Sequence, residues 1–151
     1  MIALIQRANG ARVEAKGITA GEIGVGLVVL VAAVQGDAPA QAQRLAERVL
    51  GYRVFPDPDG RMNRSALDEG YGVLAVPQFT LAADTRKGMR ASFGPAAEPE
   101  HGSALFDAFC EALVARANGP VERGVFGADM RVELTNDGPV TFWLEAPPKS
   151  G

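Results

Sequence analysis

Cysteine and histidine are nearly absent. With only Cys110 and His101 among 151 residues, the chain can form no internal disulfide and no zinc cluster of Cys and His ligands. A Ser-His-Asp site would have to use His101, which lies in the polar run Glu98-Pro99-Glu100-His101-Gly102 at an expected helix start, where a surface position is the ordinary outcome. Cys110 falls between Phe109 and Leu113 on an expected core face, which predicts an inert buried thiol. Long apolar runs are missing too. The longest, Leu27 to Val34, is far short of the ~18 residues of a membrane span. Met1 to Arg7 alternates, without the basic start, apolar stretch and cleavage site of a signal peptide, so the expectation is a cytoplasmic protein with no membrane partner. Charge of one sign is also lacking. Fifteen Lys and Arg against 18 Asp and Glu give a net charge of −3, so any affinity for nucleic acid must come from a local patch.

What is present is an ordinary globular composition, 47% hydrophobic and 22% charged. At this length about 68 to 70% of the unfolded surface is buried, which suits one domain over residues 1–151. Met1 to Asn9 and Ala11 to Ala15 alternate as two short strands before a Lys16-Gly17 turn, and Ile23 to Val34 reads as a central strand. Asp37 is placed to cap a helix with Pro39 in its first turn. Ala42, Leu45, Ala46, Val49 and Leu50 form that helix's inner face, and it ends near Gly51. Pro56 to Gly60 is a turn, and Tyr71 to Leu81 returns to strand. A second helix is expected over Pro99 to Asn118, with Leu105, Phe106, Phe109, Cys110, Leu113 and Val114 inward. Two strands, Met130 to Thr135 and Val140 to Glu145, close the chain across Asn136-Asp137-Gly138-Pro139. The expected class is α+β, a mixed and largely antiparallel sheet with two main helices.

Two segments carry residues that scaffold does not require. In Pro77-Gln78-Phe79-Thr80-Leu81 a strand leaves the core with an amide, an aromatic ring and a hydroxyl in succession. In Asn136-Asp137-Gly138-Pro139-Val140-Thr141 a polar turn precedes an apolar strand. Each has a plain alternative, since Asn-Asp-Gly signals a hairpin and Gln78 and Thr80 fit the solvent face of an alternating strand.

Taken together, the two segments resemble the paired signatures of the D-aminoacyl-tRNA deacylases, Ser-Gln-Phe-Thr-Leu and Asn-X-Gly-Pro-X-Thr. The resemblance covers essentially the whole chain, through Met1 to Arg7, Glu47 to Arg53, Gly88-Met89-Arg90 and Asn136 to Leu144. It implies the deacylase-type fold in a homodimer. The implied activity is hydrolysis of the ester joining a D-amino acid, or glycine, to the terminal adenosine of tRNA, with no metal or other cofactor. The implied partner is the acceptor end of an aminoacyl-tRNA, with no DNA. The resemblance further implies that Gly138-Pro139 is a cis peptide whose carbonyls enter the partner subunit's active site, although only about 5 to 6% of X-Pro bonds are cis. It makes Arg7 a brace for that loop.

The residues suit that chemistry. Handedness must be read at the ammonium, alpha carbon and carbonyl, and a rigid backbone carbonyl can accept from the ammonium while excluding the beta carbon of an L-residue. Gln78, Phe79 and Thr80 are the candidate catalytic residues: the amides of Phe79 and Thr80 as oxyanion donors, and Gln78 or Thr80 to orient water or substrate. Thr80 as a covalent nucleophile is a sharper alternative, but no activating base is assigned beside it. Gly138, Pro139, Arg7 and Phe79 are the candidate substrate-binding residues. Arg86, Lys87 and Arg90 are candidates for acceptor-end phosphates, and Phe79 or Phe93 for stacking near the adenine. Two positions depart from the family pattern. Pro77 replaces serine and removes both a hydroxyl and an amide donor, and Ala91 stands where proline is usual. A sibling branch that edits misacylated L-alanyl-tRNA also begins its motif Pro-Gln, but it has alanine where Phe79 stands. A noncatalytic dimeric RNA-end or ligand-binding module and a generic esterase using Thr80 complete the alternatives.

Overall fold

The computed structural model describes residues 1–148, and the last three residues of the expected 1–151 domain lie outside the described residues. A long hairpin dominates. Strand β1 (Ile2–Ala15) and strand β2 (Ile18–Ala32) pair antiparallel from Ile2↔Ala32 to Ala15↔Ile18. Lys16 (φ 53°) and Gly17 (φ 74°) make the two-residue turn, the left-handed conformation that matches strand twist. The two short strands expected before it are therefore one, and β2 starts at Ile18 rather than Ile23. Gly10, at φ +94°, carries β1 through the register shift against β7 between Ala8 and Ala11, so the strand continues past the expected break.

Helix α1 (Pro39–Gly51) follows, then strands β3 (Phe55–Pro56) and β4 (Met62–Arg64) and the single-turn helix α2 (Ala66–Glu69). Strand β5 (Gly72–Pro77) pairs parallel with β2, helix α3 (Pro99–Arg116) crosses back, and strand β6 (Val121–Arg123) pairs parallel with β5. Strand β7 (Met130–Glu145) returns antiparallel beside β1. The five-stranded sheet has the order β6-β5-β2-β1-β7, so it is mixed, with its two longest ladders antiparallel.

Both longer helices lie on one sheet face. Leu45, Val49 and Leu50 of α1 and Leu105, Phe109 and Leu113 of α3 are fully buried against Ile5, Leu27, Val29 and Val73, each contributing about 1.5 to 3 kcal/mol. The expected α1 face is correct. On α3, Val114 is 65% exposed, contrary to expectation, because at 100° per residue it lies opposite the Leu105–Phe109–Leu113 stripe, while Ala112 joins the buried side. The helix begins where expected and stops at Arg116, two residues early.

Asp37 does not cap α1. Ala38 precedes the helix and its amide donates to the Gln41 side chain (2.8 Å), while the buried Asp37 carboxylate accepts from Val34 N–H (2.7 Å) and pairs with the Met1 ammonium (2.9 Å). An unpaired buried ammonium costs more than a missing cap, and this pair ties the first residue to the helix entrance. His101 is exposed as expected, and its Nε2 lies 2.7 Å from the Asp37 carbonyl oxygen. Cys110 is buried as expected, and desolvation pushes its thiol up to about 12.

Candidate active site

The first motif begins where β5 leaves the sheet. The strand ends at Pro77, which pairs with Val31, and the chain turns at once into a 3-10 turn over Phe79–Ala82. The strand expected to run to Leu81 thus stops four residues early, and Gln78 and Thr80 are not the polar face of a strand. Pro77 has no N–H to offer on the β6 side, where pairing already ends at Ala75↔Arg123. Gln78 N–H still reaches the Val31 carbonyl (2.8 Å), which anchors the turn to β2. The turn closes with Leu81 N–H on the Gln78 carbonyl and Ala83 N–H on the Thr80 carbonyl, both 3.2 Å. The amides of Phe79 and Thr80 stand at the open first positions of the turn, where helical geometry supplies no acceptor. The Gln78 side-chain amide donates to the Thr80 hydroxyl. Phe79 is 56% exposed and packs on Phe93, with ring centroids 5.2 Å apart.

Two cavities flank Phe79. One of about 250 Å³ is almost wholly apolar and includes Met1, Val31, Phe79, Phe106 and Phe126 in its lining. The other, of about 300 Å³, runs along Pro77, Gln78 and Phe79 toward Asp129 and Met130 and is more polar. Phe126 lines both and was not anticipated. It comes from the loop after β6, with no sequence pattern to connect it to Phe79. Nor was Gly124 anticipated, where a side chain would reach 3.3 Å from Pro77 Cδ and 2.8 Å from Met130 Sδ.

The second motif is no hairpin. Both halves of β7 pair with β1 in one direction, so the chain does not reverse at Asn136 to Pro139. The register passes from Ala8↔Asn136 to Gln6↔Thr141. Arg7 alone therefore faces the four residues from Asp137 to Val140, which leave the ladder as a projecting loop. Arg7 holds the loop's near side. Its Nε donates to the Asp137 carbonyl (3.0 Å), an η-nitrogen donates to the Val54 carbonyl (2.8 Å), and the side chain is only 14% exposed. Gly138-Pro139 is cis, as the resemblance implied. Gly138 has φ +135°, and a Cβ there would lie 2.6 Å from Val140 Cγ2 and 2.9 Å from Val140 N, so only glycine fits.

One chain does not bring the two motifs together. Pro77, Val31, Ala3 and Leu144 lie in one row across β5, β2, β1 and β7, whereas the loop stands opposite Arg7, four residues along β1. Three strand spacings are about 14 Å and four residues about 13 Å, which separates the motifs by about 20 Å. Neither cavity beside Phe79 includes a residue of the Asp137–Val140 loop.

Of the three basic candidates, Arg86 is engaged. Asp84 accepts from its Nε (2.9 Å) and η-nitrogen (2.8 Å), and these bonds hold the Asp84 carboxyl at about 2. Lys87 and Arg90 are exposed beside it, at the tip of a loop pinned by reciprocal Asp84 and Ser92 backbone bonds of 2.7 and 2.9 Å. Among the described residues no group of three or more His, Cys, Asp or Glu is placed to hold a metal ion. No helix there is long and apolar enough to cross a membrane.

The apolar residues of the last strand separate by alternation. Leu144 is buried, and Val140 and Phe142 pack on the helix-side core, while Trp143 faces the other way, half exposed, with its indole N–H on Glu145 (2.8 Å). Only Trp143 of these is turned outward.

Comparison with known proteins agrees with the two motifs. The D-aminoacyl-tRNA deacylase of Halorhodospira halophila is 74% identical over 99% of this chain and 97% of its own length. That of Alkalilimnicola ehrlichii is 62% identical over 99% of each. A solved structure called c-Myc DNA Unwinding Element Binding Protein is 35% identical and superposes with a TM-score of 0.91, covering 97% of this chain and 99% of that one. A probable eukaryotic D-amino acid tRNA deacylase shares the fold at a TM-score of 0.79, with 18% identity and coverage of 95% and 98%. The profile of one family, D-Tyr-tRNA(Tyr) deacylase, matches residues 4–145, and the chain belongs to that family.

Proposed function

We propose that this protein hydrolyses the ester between a D-amino acid, or glycine, and the terminal adenosine of tRNA. Two copies assemble so that the Gly138-Pro139 loop of each faces the Gln78–Thr80 turn of the other. The observation that carries this is the separation of two finished half-sites. A braced loop projects from one side of the chain and an open turn stands about 20 Å away, too far to act on one aminoacyl group without a second subunit. The outward Trp143 belongs to the strand that carries the loop, where an interface would lie.

Within the joined site the loop carbonyls accept from the substrate ammonium, and their bulk leaves no room for the beta carbon of an L-residue. The side chain of a D-residue is not inspected, so selection concerns handedness alone. The first-turn amides of Phe79 and Thr80 stabilise the oxyanion, and the Thr80 hydroxyl, held by Gln78, orients water. An ester needs little more, because it is already more reactive than an amide. Pro77 contributes neither hydroxyl nor amide, and Gln78 N–H is taken by the Val31 carbonyl, so oxyanion binding rests on the amides of Phe79 and Thr80. The apolar cavity beside Phe79 receives the adenine, and Phe79 and Phe93 offer the stacking surface. Lys87 and Arg90 meet the acceptor-end phosphates, with Arg86 contributing less because Asp84 offsets its charge. The enzyme acts in the cytoplasm, without cofactor.

The test is release of amino acid from D-tyrosyl-tRNA and from L-tyrosyl-tRNA by the purified protein. Selective release of D-tyrosine is expected. No release would favour a noncatalytic binding module, release from both a generic esterase, and release of misacylated L-alanine alone the sibling activity. Thr80→Ala is expected to keep activity within about tenfold, whereas a covalent role would cost several orders of magnitude. Mixing impaired Gly138→Ala chains with impaired Phe79→Ala chains should raise activity above that of either alone if each site draws on two subunits. Single-stranded DNA in place of the acceptor end serves as the binding control.

A further inference from the structure

The Gly138-Pro139 loop has two ends, and Arg7 accounts for only one of them. At the other, the Asn136 carboxamide spans the base. Its Oδ1 accepts from Val140 N–H at 3.0 Å and its Nδ2 donates to Thr141 Oγ1 at 2.9 Å. The orientation of the amide is fixed by chemistry, since a backbone N–H can only donate and therefore must face the oxygen. The nitrogen is then turned onto the threonine hydroxyl. Asn136 and Thr141 are also the last paired residues on either side of the excursion, facing Ala8 and Gln6. The clamp thus sits where the ladder stops and resumes, and Gln6 Nε2 lies 3.5 Å from the same hydroxyl.

From this we infer that Asn136, with Thr141, is a positioning residue for stereochemical selection, acting through the loop it closes and not by touching substrate. The inference rests on the proposed role of the loop as the chirality gate. Arg7 fixes the Asp137 carbonyl and Asn136 fixes the Val140 amide, so the two residues between them are held from both sides. With the Asn136 bonds removed, the Val140 amide has no ladder partner to return to, because Arg7 alone faces the four loop residues. The carbonyls then shift relative to the reacting ester, and a displacement near 1 Å costs about 100-fold in rate.

The experiment compares kcat/KM for D- and L-tyrosyl-tRNA, together with urea unfolding, in Asn136→Ala, Asn136→Asp, Thr141→Val and Gly138→Ala. Asn136→Ala is expected to lose about 10- to 100-fold on the D-substrate, mainly in kcat, and to lower the D-to-L ratio. Its unfolding midpoint should move little, since Asn136 lies on the edge strand β7 and only Val140 of the loop packs on the core. Asn136→Asp keeps an acceptor for Val140, and the Thr141 hydroxyl can rotate to donate to the other oxygen, so it should recover most of the selectivity. Thr141→Val should fall between them. An unchanged D-to-L ratio in Asn136→Ala, while Gly138→Ala disturbs that ratio, overturns the clamp alone. An unchanged ratio in both variants overturns the gate beneath it, and the clamp with it. Equal losses on both substrates that follow a lowered unfolding midpoint would make Asn136 merely structural and would likewise overturn the inference.

Discussion

The two motif regions solve opposite problems. The Asp137–Val140 loop binds its polar groups inward: Arg7 takes one carbonyl, Asn136 takes one amide, and Gly138 fits only because it has no side chain. The Phe79–Ala82 turn leaves its first amides, a hydroxyl and most of an aromatic ring open beside two cavities. A group that excludes must not move, whereas a group that receives must be reachable. A braced projection and an open recess are complementary, as the proposed site shared by two subunits would require.

That contrast breaks most severely at Gly138. In Gly138→Ala the new Cβ meets Val140 at 2.6 Å on a backbone at φ +135°, strain of about 1 to 3 kcal/mol that the loop relieves by moving. Turnover of D-tyrosyl-tRNA should fall about 100-fold or more, with hydrolysis of the L-substrate rising relative to it. Arg7→Ala comes next. It removes two charge-assisted bonds from a largely buried guanidinium, and both activity, by about tenfold, and stability, by about 2 kcal/mol, should decline in parallel kinetic and urea measurements. Arg7→Lys should recover only part, because one ammonium cannot reproduce the planar fork that spans the Asp137 and Val54 carbonyls.

On the receiving side the effects are smaller. Lys87→Ala or Arg90→Ala should each lower the slope of log affinity against log salt for acceptor-end RNA by about 0.7 in fluorescence anisotropy, and Arg86→Ala by less. Asp84→Asn should tighten binding by freeing Arg86. Because Arg86 depresses the Asp84 carboxyl, the pairing is complete above pH 4 and dissolves only as pH falls through about 2, so this offset is constant across the working range. The last effect lies away from both regions and is confined to strongly alkaline pH. Burial raises the Cys110 thiol to about 12, so between about pH 9 and 12 the unfolded chain ionises its thiol while the folded one does not. Stability should fall over that window by up to about 1.4 kcal/mol per pH unit more than in Cys110→Ala, and be equal in pH dependence below it.

Periodic features were legible in the sequence. The α1 face, the α3 stripe apart from Val114, the Lys16-Gly17 turn and the α+β class all follow from repeating apolar positions and turn residues. Position-dependent features were not. Asp37 has the chemistry of a helix cap, yet the arrival of the Met1 ammonium redirected it. Asn-Asp-Gly signals a reversal, yet pairing of both flanks with one long strand turned it into a lateral loop. Spacing alone makes Arg86 equivalent to Lys87 and Arg90, whereas in the folded loop Asp84 closes on it. The short helix α2, built on Ser65 and Asp68, has no apolar period for a sequence to display, because it is a single turn.

By itself, the sequence determined the residues of both motifs, the family they mark and the elements that local pattern can specify, because propensity and alternation act between neighbours in the chain. Tertiary structure alone decided that Arg7 stands opposite the Gly138 loop, that Asn136 closes it, and that the loop and the Gln78–Thr80 turn lie on separate sides of one chain. Those relations depend on how β7 registers on β1, whose paired residues lie more than a hundred positions apart, and register is fixed only when the sheet and its helices are packed together.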